Sequence, residues 1–261
     1  MLGFDGRKVK KFTDKVVIVT GASSGIGRET ALVFAAAGAR VVAAARNAAA
    51  LQEIASDRIL PVPTDVTRDD DVRRLVETTL ERFGRVDVLV NNAGIGIRAT
   101  VENTQFADAQ RLMDVNFFGV LRCTQAVLPH MKKQGSGQIV NIGSILSLVA
   151  TPRNSIYSAS KFAVRALSDS LRIELRDSGI DVILVMPGYT DTPFFDNQIR
   201  YGGPARIGPW KGVHPRTVAR AIFRACARRK REVVLTVPGK VGALLKRCCP
   251  RFLDWTLSRA L

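Results

Sequence analysis

Short apolar runs recur along the chain, and between them apolar residues return every three or four positions. The runs are Lys15–Thr20, Arg40–Ala45, Ile59–Pro63, Val86–Val90, Gln138–Gly143, Ile180–Val185 and Glu232–Val237. Unbroken apolar runs of this length predict strands covered on both faces, as in a parallel sheet. The intervening 3.6-residue period predicts helices at 28–37 (closed by Gly38), 51–55, 69–83 (ending at Gly84), 105–132 (interrupted near Gly119), 156–177 (ended by Gly179) and 215–229. Strand and helix alternate throughout, so the expected fold class is α/β: one doubly wound parallel sheet of about seven strands with helices on both faces.

Three stretches depart from the alternation. Residues 1–14 read as a mobile basic extension before a domain spanning 15–237. From Pro187 to Pro215 there are five prolines and five glycines with little periodicity. A loop of that length inside a domain is usually functional, and 188–215 is the expected substrate loop. Residues 238–261 form a basic amphipathic tail, with Pro250 expected to split it into two short helices.

Charge is uneven. The 261 residues carry 39 Lys/Arg and 23 Asp/Glu, but residues 200–261 alone hold 15 of the former and 2 of the latter. The tail fits two readings. As an interfacial element it would set Lys and Arg against anionic lipid heads with Trp255 at the boundary. As a pocket cover or subunit contact it would need no lipid, and the lack of one clean apolar stripe favours this second reading. The Arg228–Arg231 cluster gives only non-specific attraction to nucleic acid, and no recognition module accompanies it. No apolar run is long enough to span a bilayer, and no apolar segment follows the basic start, so neither membrane span nor signal peptide is expected. Four scattered cysteines and two histidines show no metal or disulfide spacing. They fit a reducing, cytoplasmic setting, peripheral to a membrane if the tail binds lipid.

Thr20-Gly-Ala-Ser-Ser-Gly-Ile-Gly27 joins the first strand to the first helix. Glycines there let backbone approach a phosphate closely, and the helix start offers unpaired N–H groups. The order G-x-x-x-G-x-G departs from the commoner G-x-G-x-x-G. The second strand ends in Ala45-Arg46-Asn47, with no carboxylate for a ribose 2′-hydroxyl and a guanidinium suited to a 2′-phosphate. That favours NADP(H) over NAD(H).

Tyr157 and Lys161 stand one helical turn apart on one face. Alone the pair also fits a solvated helix face. Ser144, at the end of the apolar run before that helix, changes the weighing, because ligands of open α/β sheets lie at strand C-terminal ends. A nearby ammonium would lower the phenol pKa from its usual value of about 10, making Tyr157 a usable acid.

With these residues in hand the chain resembles the short-chain dehydrogenase/reductase family in its single-domain, Tyr-x-x-x-Lys form, over 14 to about 237. The resemblance rests on Gly21-x-x-x-Gly25-Ile26-Gly27, Asp65-Val66, Asn91-Asn92-Ala93-Gly94, Asn116, Ser144, Tyr157-x-x-x-Lys161 and Pro187-Gly188-x-Thr190. It implies a Rossmann-like fold and a nicotinamide cofactor held by Gly21, Ser23, Ser24, Gly25, Ile26, Gly27, Arg46, Asn47, Asp65, Val66, Asn91, Ala93, Gly94, Tyr157, Lys161, Pro187, Gly188, Thr190 and Thr192. It implies Tyr157 as acid or base, Lys161 as its modulator, Ser144 on the substrate oxygen, and Asn116 holding a water in a proton relay. It also implies a homodimer or homotetramer through the helices at 105–132 and 156–177.

Ile95, Gly96, Ile97, Leu146, Val149, Tyr189, Phe194 and Phe195 are expected to line a mostly apolar substrate pocket. No cationic cluster is apparent among them, so a small hydrophobic carbonyl or alcohol is expected rather than a free acid or sugar phosphate. The expected function is NADP(H)-dependent carbonyl reduction or alcohol oxidation. A cofactor-binding regulatory or scaffolding protein without catalysis is the alternative, and an epimerase or dehydratase would resemble a longer form of the fold.

Overall fold

The computed structural model describes residues 12–201 and 212–259. The expected extension at 1–11, residues 202–211 of the expected substrate loop, and 260–261 lie outside the described residues.

The strands are β1 (Val16–Thr20), β2 (Arg40–Ala45), β3 (Ile59–Pro63), β4 (Val88–Asn91), β5 (Ile97–Arg98), β6 (Gly137–Ile142), β7 (Ile180–Met186), β8 (Ile199–Arg200) and β9 (Glu232–Val234). The helices are α1 (Gly25–Ala36), α2 (Ala48–Gln52), α3 (Asp69–Phe83), α4 (Phe106–Met113), α5 (Gly119–Gln134), α6 (Ser155–Glu174), α7 (Pro215–Ala227), α8 (Val237–Cys248) and α9 (Pro250–Ser258). The main sheet has seven parallel strands in the order β3-β2-β1-β4-β6-β7-β9, and β5 and β8 form a second, two-stranded parallel pair.

Apolar alternation within each strand divides the core. Val17 and Val19 of β1, with Val41, Val90 and Val185, face α1 and α7. Ile18, Val42, Leu89 and Ile139 face α3, α5 and α6 across the other side of the sheet. Each face is therefore covered, as the unbroken apolar runs require.

Residues 12–14, assigned by sequence to the mobile extension, are part of the fold. Phe12 is buried and packs edge-on against Phe34 and obliquely against Phe223, at 5.2 and 4.8 Å between ring centroids. An aromatic side chain buries enough area to hold the chain down even next to basic residues. Helix α1 starts three residues before the expected Arg28, inside the glycine turn, because a first helical turn makes few intrahelical N–H bonds and tolerates Gly. The interruption expected near Gly119 is a π-helical turn over Asp114–Phe118, closed by the Gly119 N–H donating to the Asp114 carbonyl.

The tail divides at Pro250 as expected. Thr236 caps α8 by accepting from the Gly239 N–H at 3.3 Å. Gly239 sits so close to the segment after β6 that a Cβ there would approach Ile145 to 2.6 Å. No helix among the described residues is long and apolar enough to cross a membrane.

Candidate active site

The strand order reverses direction of growth between β1 and β4, and a crevice opens where the two strand ends diverge. Thr20 clamps this point: its Oγ1 accepts from the Asn92 and Ala93 N–H groups at 3.0 and 3.1 Å, while Asn92 Nδ2 donates to the Thr20 and Gly21 carbonyls at 2.9 and 3.2 Å. Gly21 has φ +66°, and a Cβ on it would lie 2.8 Å from Ala93 Cα. Gly27 is packed more tightly, with a Cβ there only 2.2 Å from the Gly21 carbonyl oxygen. The glycines therefore serve two ends: Gly21 and Gly25 shape the turn, and Gly27 lets α1 close on it.

A cavity of about 790 Å³ runs from this turn along the strand ends. At one end stand Arg46 and Asn47, with Asp65 and Val66 beside them; at the other stand Ser144, Tyr157, Lys161 and the Pro187–Thr192 segment. Ser23, Ser24, Gly25, Ile26, Ala93 and Gly94 line the stretch between. Ser24 makes no side-chain cap on α1, which leaves the first-turn N–H groups to a ligand. Arg46 is exposed and has no ion-pair partner among the described residues, whereas Arg28 stands 3.9 Å from Glu53. Asn47 is partly committed, its Oδ1 accepting from the Ala50 N–H at 3.1 Å as the cap of α2. Asp65 is held by Thr67, which donates to it from both N–H and Oγ1.

Ser144 follows β6 and caps a single 3₁₀ turn, its Oγ accepting from the Leu146 N–H at 3.1 Å. Its own proton remains available, and the hydroxyl stands close enough to Tyr157 to favour the phenolate. Lys161 is buried and donates from Nζ to the Ile142 carbonyl at 2.9 Å, with Nζ 5.7 Å from the Tyr157 ring centroid. The expected lowering of the Tyr157 pKa by Lys161 is not what the structure shows. Burial pushes Tyr157 up to about 12, opposed only by the Ser144 hydroxyl, and burial pulls Lys161 down to about 8. Desolvation penalises phenolate and ammonium alike.

Several expected site residues lie elsewhere. Asn116 does not line the cavity; its Oδ1 accepts from the Ile95 N–H at 2.8 Å, and its Nδ2 donates to the Ile95 carbonyl and Ser160 Oγ at 3.0 and 3.2 Å. The side chain thus ties the 92–95 segment to α6. Asn91 also stays inside the sheet, donating to Thr124 Oγ1 and Asn141 Oδ1 at 3.2 and 2.9 Å, and it is Asn92 that reaches the cavity. Gly27 supports the turn from behind. Val149 faces α8, next to Gly242, and Ile97 belongs to a small core behind the cavity.

The substrate end is walled by Ile95, Gly96, Leu146, Tyr189, Phe194 and Phe195. Tyr157 and Phe194 are 5.7 Å apart between centroids, and Tyr189 and Phe195 4.5 Å. The sequence reading missed Arg98, Arg111 and Asn154, which also line the cavity, as does Gln198 of the expected substrate loop. Arg98 follows directly on the expected Ile95–Ile97 stretch, and Arg111 lies one helical turn before Val115, another lining residue. The expectation of a pocket without clustered cations is thereby corrected. Among the described residues no group of three or more His, Cys, Asp and Glu is placed to hold a metal ion.

The family model for short chain dehydrogenases matches residues 15–200. A fruit-fly (Drosophila melanogaster) protein called dehydrogenase/reductase SDR family protein 7-like is 34% identical over 260 residues, covering 94% of this chain and 80% of its own. A short-chain dehydrogenase/reductase from Burkholderia phymatum, solved with NAD, superposes with a TM-score of 0.83 at 28% identity, over 92% of this chain and 95% of that one. A short-chain dehydrogenase from Burkholderia cenocepacia, solved with NADP, gives 0.81 at 29% identity, over 94% and 98%.

Proposed function

The chain belongs to the short-chain dehydrogenase/reductase family, and from that premise we propose that it is an NADP(H)-dependent oxidoreductase interconverting a carbonyl and an alcohol on a hydrophobic substrate. The observation that carries the reading is the meeting of Ser144, Tyr157 and Lys161 in the same cavity as the glycine turn. A nicotinamide dinucleotide fits this cavity chemically. The turn offers backbone at Gly21 and Gly25 where side chains would intrude, and the two solved relatives carry NAD in one case and NADP in the other. The preference for NADP(H) rests on Arg46, a guanidinium without a carboxylate partner at the end of β2.

When bound, the nicotinamide supplies the hydride in reduction and accepts it in oxidation. Tyr157 gives its proton to the substrate oxygen as negative charge develops there. Ser144 donates to the same oxygen, its lone pair already engaged by the Leu146 N–H. The charged form of Lys161 stabilises the phenolate that Tyr157 becomes, and the Ile142 carbonyl holds the ammonium in place. Asn116 acts as a positioning residue through Ile95 and Ser160. The aromatic wall around Phe194 excludes water from the reacting carbon.

Following nicotinamide absorbance across a panel of ketones, aldehydes and alcohols, with NADPH and with NADH, tests the reading. Turnover of at least one hydrophobic carbonyl with NADPH, slower with NADH, is expected. Tyr157→Phe is expected to lower kcat by roughly 10²- to 10⁴-fold while NADPH still binds, as read by nucleotide fluorescence. A variant that turns over at nearly the original rate would overturn the assignment.

Association through α4–α6 as a homodimer or homotetramer is also proposed, supported by Phe106, Phe118 and Ile173 standing exposed there. A peripheral lipid contact by the tail is supported by exposed Val237, Val241 and Leu244 on one face of α8, with Phe252 and Trp255 on α9.

A further inference from the structure

The outer end of the cavity carries positive charge that the proposed reaction does not use. Arg98 and Arg111 both line it. Arg98 pairs in register with Arg200 across the β5–β8 ladder, so two guanidinium side chains leave the same side of adjacent strands about 5 Å apart. The Ala99 N–H donates to the Arg153 carbonyl at 2.9 Å, which brings a third arginine to the same place. Arg153 holds φ +63°, a left-handed conformation that a non-glycine residue keeps only where its surroundings impose it.

These like charges are not paired with carboxylates. Among the described residues Arg98, Arg111 and Arg153 make no ion pair, and Arg200 donates to the Phe195 carbonyl instead. The nearby carboxylate, Asp108, accepts from the Tyr201 hydroxyl and pairs with none of the four arginines. Burial, then repulsion from Arg153 and Arg200, lowers the Arg98 pKa. Holding the half-buried Arg98 beside Arg153 and Arg200 without a partner is unfavourable, and an anion placed among them would relieve it. The 2′-phosphate of NADP(H) is assigned to Arg46 at the opposite end of the cavity, so it does not account for this cluster.

We propose that Arg98, Arg111, Arg153 and Arg200 bind an oxyanion, carboxylate or phosphate, carried by the substrate at the end remote from its carbonyl. The substrate is then amphipathic: a carbonyl at Tyr157, an apolar span along Phe194 and Phe195, and an anionic terminus at Arg98. The inference deepens the carbonyl-oxidoreductase reading and rests on it for the position of the carbonyl.

The test reads binding, not turnover. Medium-chain methyl-ketone carboxylates, their methyl esters and the matching phosphate monoesters are titrated calorimetrically into the protein saturated with NADP⁺, at low and high salt. At the best chain length an anionic probe is expected to bind roughly 10- to 100-fold more tightly than its ester, with the advantage shrinking at high salt. Carboxylate against phosphate identifies which oxyanion fits. Arg98→Gln and, on the exposed face of α4, Arg111→Gln are each expected to reduce the anion-to-ester ratio. Equal affinity for anions and esters at every length, or an unchanged ratio in both variants, would overturn the site. A protein that prefers anions but reduces none of them keeps this site and loses the oxidoreductase reading. One that reduces acids and esters while binding them equally loses only this site.

Discussion

Lys161 is buried and Tyr157 half-buried, and desolvation moves them in opposite directions, to about 8 and about 12. Reduction needs Tyr157 protonated, which holds at every pH below about 12. It also needs Lys161 charged, which holds only below about 8. As pH rises, the lysine is therefore the first to leave its working form. At saturating NADPH, kcat/KM for carbonyl reduction is expected to be flat near neutrality and to fall as pH rises through about 8. A decline that began only above pH 10 would place the controlling titration on Tyr157 or elsewhere.

Among the elements, the strand-to-helix turn after β1 is the most tightly constrained. Gly27→Ala would place a methyl 2.2 Å from the Gly21 carbonyl oxygen and 2.5 Å from Asn92 Nδ2. The first contact is with backbone, so the turn itself must move. A loss of stability of about 1–3 kcal/mol and a much larger loss of NADPH affinity are expected, measured by thermal melting and nucleotide titration. An alanine variant with unchanged melting and binding would mean that α1 shifts freely on β1.

Elements with local determinants were readable from sequence. Helix α3 runs from Asp69 to Phe83 as its period and acidic start imply, and Gly84 ends it at φ +71°. The glycine turn, Ser144 and the Tyr157/Lys161 pair were equally legible because each sits at a strand end or on one helical face. What was hidden depends on contacts between distant residues. The pairing of Ile97–Arg98 with Ile199–Arg200 joins segments about a hundred residues apart, and no local pattern marks either as a strand. For the same reason Asn91 and Asn92 look alike in sequence, although pleating sends one into the sheet and the other to the cavity.

At the scale of the whole molecule, the charge asymmetry has a physical location. Helices α8 and α9 present Val237, Val241, Leu244, Phe252 and Trp255 to solvent beside Lys240, Arg247, Arg251 and Arg259. Arg259 lies over the Trp255 ring at 3.8 Å, a pairing suited to an interface between apolar and charged phases. Co-sedimentation with anionic vesicles is expected at low salt and is expected to weaken at high salt. Absence of sedimentation at low salt would leave the tail only its packing role against the Ile145–Val149 segment.

Asn91 and Asn141 are register partners on β4 and β6, and their side chains bond each other at the centre of the sheet. Thr124 and Ser168 extend the chain of bonds to the helices on that side. A slip of one residue between these strands would face an amide with hydrocarbon, at a cost of about 1–3 kcal/mol for each stranded group. The ladder thus acts as a mark of the native alignment of these strands. Gly94 and Ser144 each lie three residues beyond one of these asparagines. A mark that guards against misalignment in the interior therefore also delivers the two walls of the reaction chamber at matching height.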